Sequence, residues 1–221
     1  KCAANHDMVG QKNVMKLSCI TACILGSAST FGLAAVSKKL AIVYYGKEFL
    51  VCGRVMLLMT PLILIVSLGD IFRSGYLIPC HKDNTYVVSN IISAITNILI
   101  SAMMIPHIGI YGAIFGTFIA ETIGFILQAY ACKNIFKFKD IFDMLFPFLF
   151  VGLIMYLIVA YIDRNTEYTL LWLSIEVIIG IIVYGMGTVL TFTVFGEKYI
   201  KSVEIKKILE KYKKILMRKV G

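Results

Sequence analysis

Long runs of apolar residues without formal charge constrain this chain more than any other feature. Leu17–Ser37 contains no Asp, Glu, Lys or Arg, and Asn84–Cys132 contains only Glu121. Hydrophobic residues make up 59% of the 221 residues and charged residues 16%, whereas a typical soluble domain has about 25% charged residues. A soluble fold of this size cannot hide so much apolar surface in one core. The bilayer is therefore the expected solvent for most of the chain.

The apolar runs have the length of transmembrane helices, which need about 20 mainly apolar residues. Because lipid offers no hydrogen bonds, each run must satisfy its backbone internally as a helix. The predicted fold class is all-α, a polytopic bundle of about six transmembrane helices. The predicted domains are an N-terminal segment at 1–16, the bundle at 17–196 and a basic amphipathic tail at 197–221. The predicted spans are Leu17–Ser37, Val55–Gly69 (extended to Ile78), Tyr86–Ile105, Ile110–Ala131, Met144–Ile162 and Tyr168–Gly196.

The positions of the basic residues predict the orientation. If the C-terminus is cytoplasmic, 17 of the 22 Lys and Arg residues fall in cytoplasmic connections or in the tail, as the positive-inside rule requires. Lys38 and Lys39 are then assigned to an external loop. The prediction is a multi-pass membrane protein with both termini in the cytoplasm. Membrane lipids, and not nucleic acid, are the expected partners of the net charge of +9, because it is concentrated between the spans and in the tail.

Ionisable residues within the spans are candidates for function, because a charge in the bilayer must face protein or water. Asp70 and Arg73 are i,i+3 neighbours that can neutralise each other. Glu121 lies mid-span, where it could couple transport to a proton or cation or could clamp two helices together. Glu176 lies in the last span, nearer its external end.

Two arginines flank the second span and are candidates for a substrate path. Arg54 and Arg73 lie about 28 Å apart along a straight helix, and Pro61 between them is predicted to kink it. If the chain carries an anionic substrate, as its resemblance to a known family implies, they could serve as successive contacts for that substrate. In the alternative interpretation, neither arginine contacts substrate. The Arg54 side chain extends to the water at the membrane interface, and Arg73 only pairs with Asp70.

Small residues recur every four positions in the fourth span, at Gly112, Gly116, Ala120 and Gly124. This spacing forms a ridge on one helix face and allows a neighbouring helix to approach closely. The ridge is expected to be the only surface where an added side chain would meet a neighbouring backbone directly.

Residue patterns typical of catalysis are not found. The chain has no P-loop motif, and its three histidines have no partners at metal-ligand or triad spacing. Cys19 and Cys23 share a helical face and are expected to pack as small apolar residues. We therefore expect neither enzymatic activity nor a metal or other cofactor.

Three features of the sequence resemble those of a known family of membrane proteins. The first feature is the sequence from Tyr45 to Phe49 (YGKEF), and the second is Ile78-Pro79 followed by polar residues. The third is Asn97, followed by Ile105-Pro106 and by the small-residue ridge with Glu121. In this order, the region from about Asn13 to Lys139 resembles the C-terminal region of Wzx-type polysaccharide flippases. These proteins belong to the multidrug/oligosaccharidyl-lipid/polysaccharide exporter superfamily.

The resemblance implies one lobe of a two-lobe transporter whose lobes are related by pseudo-symmetry. It implies a carrier that flips polyprenyl-pyrophosphate-linked oligosaccharide repeat units across a bacterial plasma membrane for cell-surface polysaccharide biosynthesis. The chain, which begins at Lys1, is expected to be a C-terminal fragment that packs against the missing N-terminal helices of the same protein. Two alternatives stay open: a drug/cation antiporter of the same superfamily, and a non-transporting membrane scaffold or truncated half.

Overall fold

The computed structural model describes residues 8–133 and 138–203. Within these ranges the protein is all-α and contains no strand, and six helices are long and apolar enough to cross a membrane. The predicted fold class is confirmed, and the chain is a multi-pass membrane protein. The helices are α1 (Met8–Tyr45), α2 (Leu50–Phe72), α3 (Asp83–Ile108), α4 (Ile110–Ala131), α5 (Phe138–Asn165) and α6 (Leu170–Val203).

Short connections make successive helices run in opposite directions, so the bundle has two ends. We call the end where α1, α3 and α5 begin the entry end and the opposite one the far end. Two far-end connections turn at glycines with positive φ, Gly46 at 94° and Gly109 at 59°, values that glycine adopts without steric cost. The third span was predicted to end at Ile105, but α3 continues through Pro106 to Ile108, and the turn lies at Gly109.

The first helix departs most from its predicted bounds. It begins at Met8 and continues to Tyr45, so Lys38 and Lys39 belong to the helix and not to an external loop. The assignment of both lysines to a loop was wrong, because a charged residue ends an apolar run without ending the helix. Lys39 is completely buried.

Helix α1 lies at the centre of the packing. It contacts α2, α5 and α6, whereas α2 contacts α4, and α4 contacts α3. Between the entry end and the far end the core is divided into two buried clusters. The cluster nearer the entry end includes Met15, Cys19, Cys23, Phe72 and Phe148, and the other includes Ala35, Val36, Met155, Val159 and Tyr184. The α3–α4 hairpin is thus attached mainly through α2.

The small-residue ridge of α4 faces α3. Gly112, Gly116, Ala120 and Gly124 are all buried. A Cβ placed on Gly112 would lie 2.6 Å from the carbonyl carbon of Met104. The ridge is not the only such surface, however, because a Cβ on Gly53 would lie 3.0 Å from the Cα of Lys38. The expectation of a single close-packed surface was wrong: α1 and α2 also approach closely at one glycine.

Two further predictions concern Pro61 and the C-terminal tail. Pro61 lies inside α2, is exposed, and is flanked by helix on both sides; the kink stays a prediction. Helix α6 is described as far as Val203. The amphipathic tail helix predicted for the last residues therefore falls mainly outside the described residues.

Candidate functional site

A polar cleft of about 430 Å³ lies between α2, α3 and α4. Helix α2 reaches it through its last turns, and α3 and α4 line it as the two arms of the hairpin. Such a concentration of hydrogen-bonding groups is unusual within apolar membrane helices and marks a candidate binding site. Its polar lining consists of Asp70, Arg73, Tyr86, Asn90, Ser93, Asn97, Glu121 and Gln128.

The charged centre of the cleft is the Asp70–Arg73 pair. Arg73 Nη2 lies 2.6 Å from Asp70 Oδ1, with 39% of the arginine side chain and 50% of the aspartate side chain exposed. The predicted i,i+3 pair is therefore present. Arg73 begins a π-helical segment, Arg73–Leu77, a local widening that is frequent at functional sites.

Tyr86 of α3 fixes the guanidinium from the other side. Arg73 Nη1 donates a hydrogen bond to the Tyr86 hydroxyl at 3.2 Å, and the guanidinium carbon lies 5.7 Å from the ring centroid. The cation is thus oriented by two partners from two helices while a good part of it stays accessible. An arginine held in this way can accept a phosphate or carboxylate as a bidentate partner.

Helix α3 contributes a polar stripe. Tyr86, Asn90, Ser93 and Asn97 are separated by four, three and four residues, a spacing that places them on one helix face. The stripe meets the α4 ridge: a Cβ on Gly124 would lie 2.6 Å from Ser93 Oγ. Ser93 Oγ is buried and, among the described residues, has no hydrogen-bond partner. Because the ridge glycines have no side chains, α3 packs closely against α4. The polar groups of α3 therefore lie at the wall of the cleft.

Helix α4 adds an exposed carboxylate, Glu121, and a buried amide, Gln128, seven residues later on the same face. Three of the candidates that the sequence singled out, Asp70, Arg73 and Glu121, therefore line one cleft. With all three ionised, the cleft has one negative charge in excess. Arg54 does not line it; this residue is exposed in the first turns of α2, near the far end.

A second polar cluster joins α1, α5 and α6 near the far end, and sequence reasoning missed it. The Lys39 ammonium is ion-paired with Glu176 Oε1, and both side chains are fully buried. It also donates to Thr166 Oγ1 at 2.7 Å and lies 3.2 Å from Asp163 Oδ1. The sequence signal was a lysine two residues beyond an apolar run and a glutamate at a similar depth in the last span.

The entry-end connections contain two groups with shifted pKa values. A hydrogen bond to Tyr76 raises the pKa of Lys82, whose ammonium lies 4.9 Å from the centroid of that ring. Burial raises the pKa of the Cys132 thiol to about 12. Cys132 is completely buried, so this thiol is built into the core and is not poised for nucleophilic chemistry.

Comparisons with protein-family models, with curated proteins and with solved structures give no match for this chain.

Proposed function

We propose that this chain forms one lobe of a membrane transporter that flips polyprenyl-pyrophosphate-linked oligosaccharides for cell-surface polysaccharide biosynthesis. The observation that carries the proposal is Arg73, an oriented and accessible arginine in a polar cleft within an apolar helical bundle. A multiply anionic headgroup needs such a cation in order to cross a region where water is scarce.

The contacts of Arg73 suit a carrier that must also be stable when no substrate is bound. Asp70, 2.6 Å away, neutralises the guanidinium when no substrate is bound, which lowers the cost of keeping it within the membrane. A phosphate group would replace Asp70, which makes a single contact through Oδ1, and could bind the guanidinium through two oxygens. The amides and hydroxyls of Asn90, Ser93 and Asn97 would then offer hydrogen bonds to the sugar hydroxyls beside it.

The proposed orientation places the entry end in the cytoplasm, as the distribution of basic residues predicts. The cleft, with Asp70 and Arg73 in the last turns of the span that ends at Leu77, then lies in the cytoplasmic half of the bundle. A flippase that moves its lipid-linked substrate from the inner to the outer leaflet would bind that substrate in this half.

A drug/cation antiporter is the second candidate, and one observation favours it. The cleft contains two carboxylates, Asp70 and Glu121, against one cation, a balance that suits a cationic cargo. In that case Glu121 would bind the cargo or the exchanged proton, and Arg73 would serve only to neutralise Asp70.

The test compares arginine variants within one helix, in cells that make the surface polysaccharide. Arg73→Ala is expected to reduce export strongly at unchanged protein level. Arg54→Ala, which removes the same charge from the same helix outside the cleft, is expected to reduce export less. Arg73→Lys separates charge from geometry, since lysine keeps the charge but loses the bidentate fork.

The two candidate functions give opposite results. A flippase loses export with Arg73→Ala and keeps most of it with Glu121→Gln. A cation antiporter loses resistance to cationic compounds with Glu121→Gln and shows no export defect with Arg73→Ala. Normal export and unchanged resistance in both variants would refute both and would favour a scaffold.

A further inference from the structure

The α3–α4 hairpin is attached to the rest of the bundle near the entry end. Helix α4 packs there against the last turns of α2: the ring centroids of Phe125 and Phe72 are 5.8 Å apart, and Ala129 belongs to the buried cluster nearer the entry end. Towards the far end, Phe115 of α4 and Leu58 of α2 are exposed. A segment with few buried contacts opens at low cost, so the hairpin is expected to move most at its far end.

Helix α3 depends on its neighbours for its position. Of its 26 residues, all of which the structure describes, only Ser89 is buried, and its main partner is α4. On the other side of the cleft, the Tyr86 hydroxyl accepts a hydrogen bond from Arg73 Nη1 at 3.2 Å. The Arg73–Tyr86 contact therefore joins the hairpin to the end of α2 across the cleft.

A phosphate group at Arg73 needs more than the guanidinium. With Asp70, Arg73 and Glu121 ionised, the cleft has one negative charge in excess, which opposes the entry of an anion. Asp70 is half exposed and can turn towards water when a phosphate replaces it, but Glu121 stays in the cleft. A neutral hydrogen-bond donor beside Arg73 strengthens an anion site without adding repulsion.

Tyr86 is such a donor. Its oxygen accepts the hydrogen bond from Arg73, so the hydroxyl keeps its own hydrogen to donate. Tyr86 lines the same cleft as Arg73 and is partly exposed. Because Arg73 Nη1 is 3.2 Å from this hydroxyl, a phosphate bound to the guanidinium lies within its reach. Asn90, four residues further along the same face of α3, is exposed and offers an amide to the same cleft.

We propose that Tyr86 is a second anion-binding residue of the cleft, and that a phosphate group held between Arg73 and Tyr86 fixes the α3–α4 hairpin against α2. The direct hydrogen bond between the two residues is 3.2 Å long, and the anion adds bonds from both helices to one group. Such charge-assisted bonds are shorter and stronger than neutral ones, so the hairpin moves less when the anion is bound. The inference rests on the proposed function, which makes a diphosphate the ligand.

Binding of diphosphates to the purified full chain in detergent tests the role of Tyr86. The probes are inorganic pyrophosphate and farnesyl diphosphate, followed by isothermal titration calorimetry. Tyr86→Phe is expected to weaken the binding of both about tenfold, the ratio that corresponds to a charge-assisted hydrogen bond of about 1.5 kcal/mol. Tyr111→Phe, the same change at an exposed tyrosine of α4 that does not line the cleft, is expected to leave binding unchanged.

The two probes also distinguish the source of the anion. Tighter binding of farnesyl diphosphate would identify a lipid-linked diphosphate as the ligand, and equal binding would identify the diphosphate group alone. Both results support the proposal, because both place a phosphate group between Arg73 and Tyr86.

Hydrogen–deuterium exchange tests the coupling to the hairpin. Saturating pyrophosphate is expected to slow amide exchange severalfold in the last turns of α2 and in the first turns of α3, and to leave the α5–α6 connection at 166–169 unchanged. In Tyr86→Phe the slowing in α2 is expected to remain and the slowing in α3 to be lost. A tyrosine with only a structural role would instead change exchange equally with and without pyrophosphate.

The proposal is overturned if neither diphosphate binds, if Tyr86→Phe binds both as tightly as the unchanged chain, or if pyrophosphate slows exchange in α2 alone. These results differ from a failure of the proposed function. Normal export by Arg73→Ala would refute the flippase and leave anion binding by Arg73 and Tyr86 intact. Loss of export in Arg73→Ala together with full diphosphate binding by Tyr86→Phe would refute only this inference.

Discussion

A single methyl group at Gly112 tests whether α3 and α4 are held together by backbone contact. In Gly112→Ala the new Cβ would lie 2.6 Å from the carbonyl carbon of Met104 and 2.7 Å from the nitrogen of Ile105. Ordinary contact begins at 3.4 Å, so the two helices must separate by roughly 0.8 Å, and backbone atoms cannot rotate away as a side chain can. Overpacking of this kind costs about 1–3 kcal/mol.

The matched control is Gly185→Ala, where the added Cβ meets nothing within 4 Å. This substitution is expected to stabilise α6 by up to about 1 kcal/mol, because alanine is the better helix former. Gly124→Ala should fall between the two, since its Cβ meets the side-chain oxygen of Ser93, which can rotate. The Gly112 and Gly185 variants are thus expected to differ in unfolding free energy by roughly 1–4 kcal/mol.

The measurement is unfolding of the purified chain in mixed micelles by increasing sodium dodecyl sulfate, followed by far-UV circular dichroism and by the fluorescence of Trp172, the only tryptophan. Coincident transitions for the two signals would justify a two-state free energy. If Gly112→Ala is as stable as Gly185→Ala, the contact between ridge and backbone does not support the hairpin, and the reasoning fails.

Three further predictions concern topology, a thiol and the buried ion pair. A reporter fused after Gly221 is expected in the cytoplasm, and one inserted in the α5–α6 connection at 166–169 is expected outside. Labelling of the tail from outside the cell would show the opposite orientation. Cys132 as the sole cysteine is expected to resist maleimide as the pH rises from 7 to 9, because its pKa of about 12 keeps it protonated and only the thiolate reacts; rapid labelling before denaturation would contradict this. Lys39→Met is expected to cost about 3–5 kcal/mol of unfolding free energy by leaving carboxylates buried without their cation. Adding Glu176→Gln should recover part of that loss, and simple additivity in the double-mutant cycle would show that the two groups are not coupled.

The sequence by itself determined the features that depend on neighbours along the chain. The hydrocarbon thickness sets a minimum length for a span, so the apolar runs are enough to predict six helices. Helical periodicity places Asp70 beside Arg73 and aligns Gly112 with Gly116 on one face. These relations hold whatever the helices pack against.

The tertiary structure alone decided which helices meet. The Lys39–Glu176 pair joins residues 137 positions apart, and no periodicity along the chain connects them. In the same way, Glu121 shares a cleft with Arg73 only because α4 packs against α2. In a membrane, helix association depends on the fit of small surfaces and on a few polar contacts, not on hydrophobicity, which lipid already satisfies. An apolar run therefore predicts that a helix crosses the bilayer, while its partners follow only from the shapes of all six helices together.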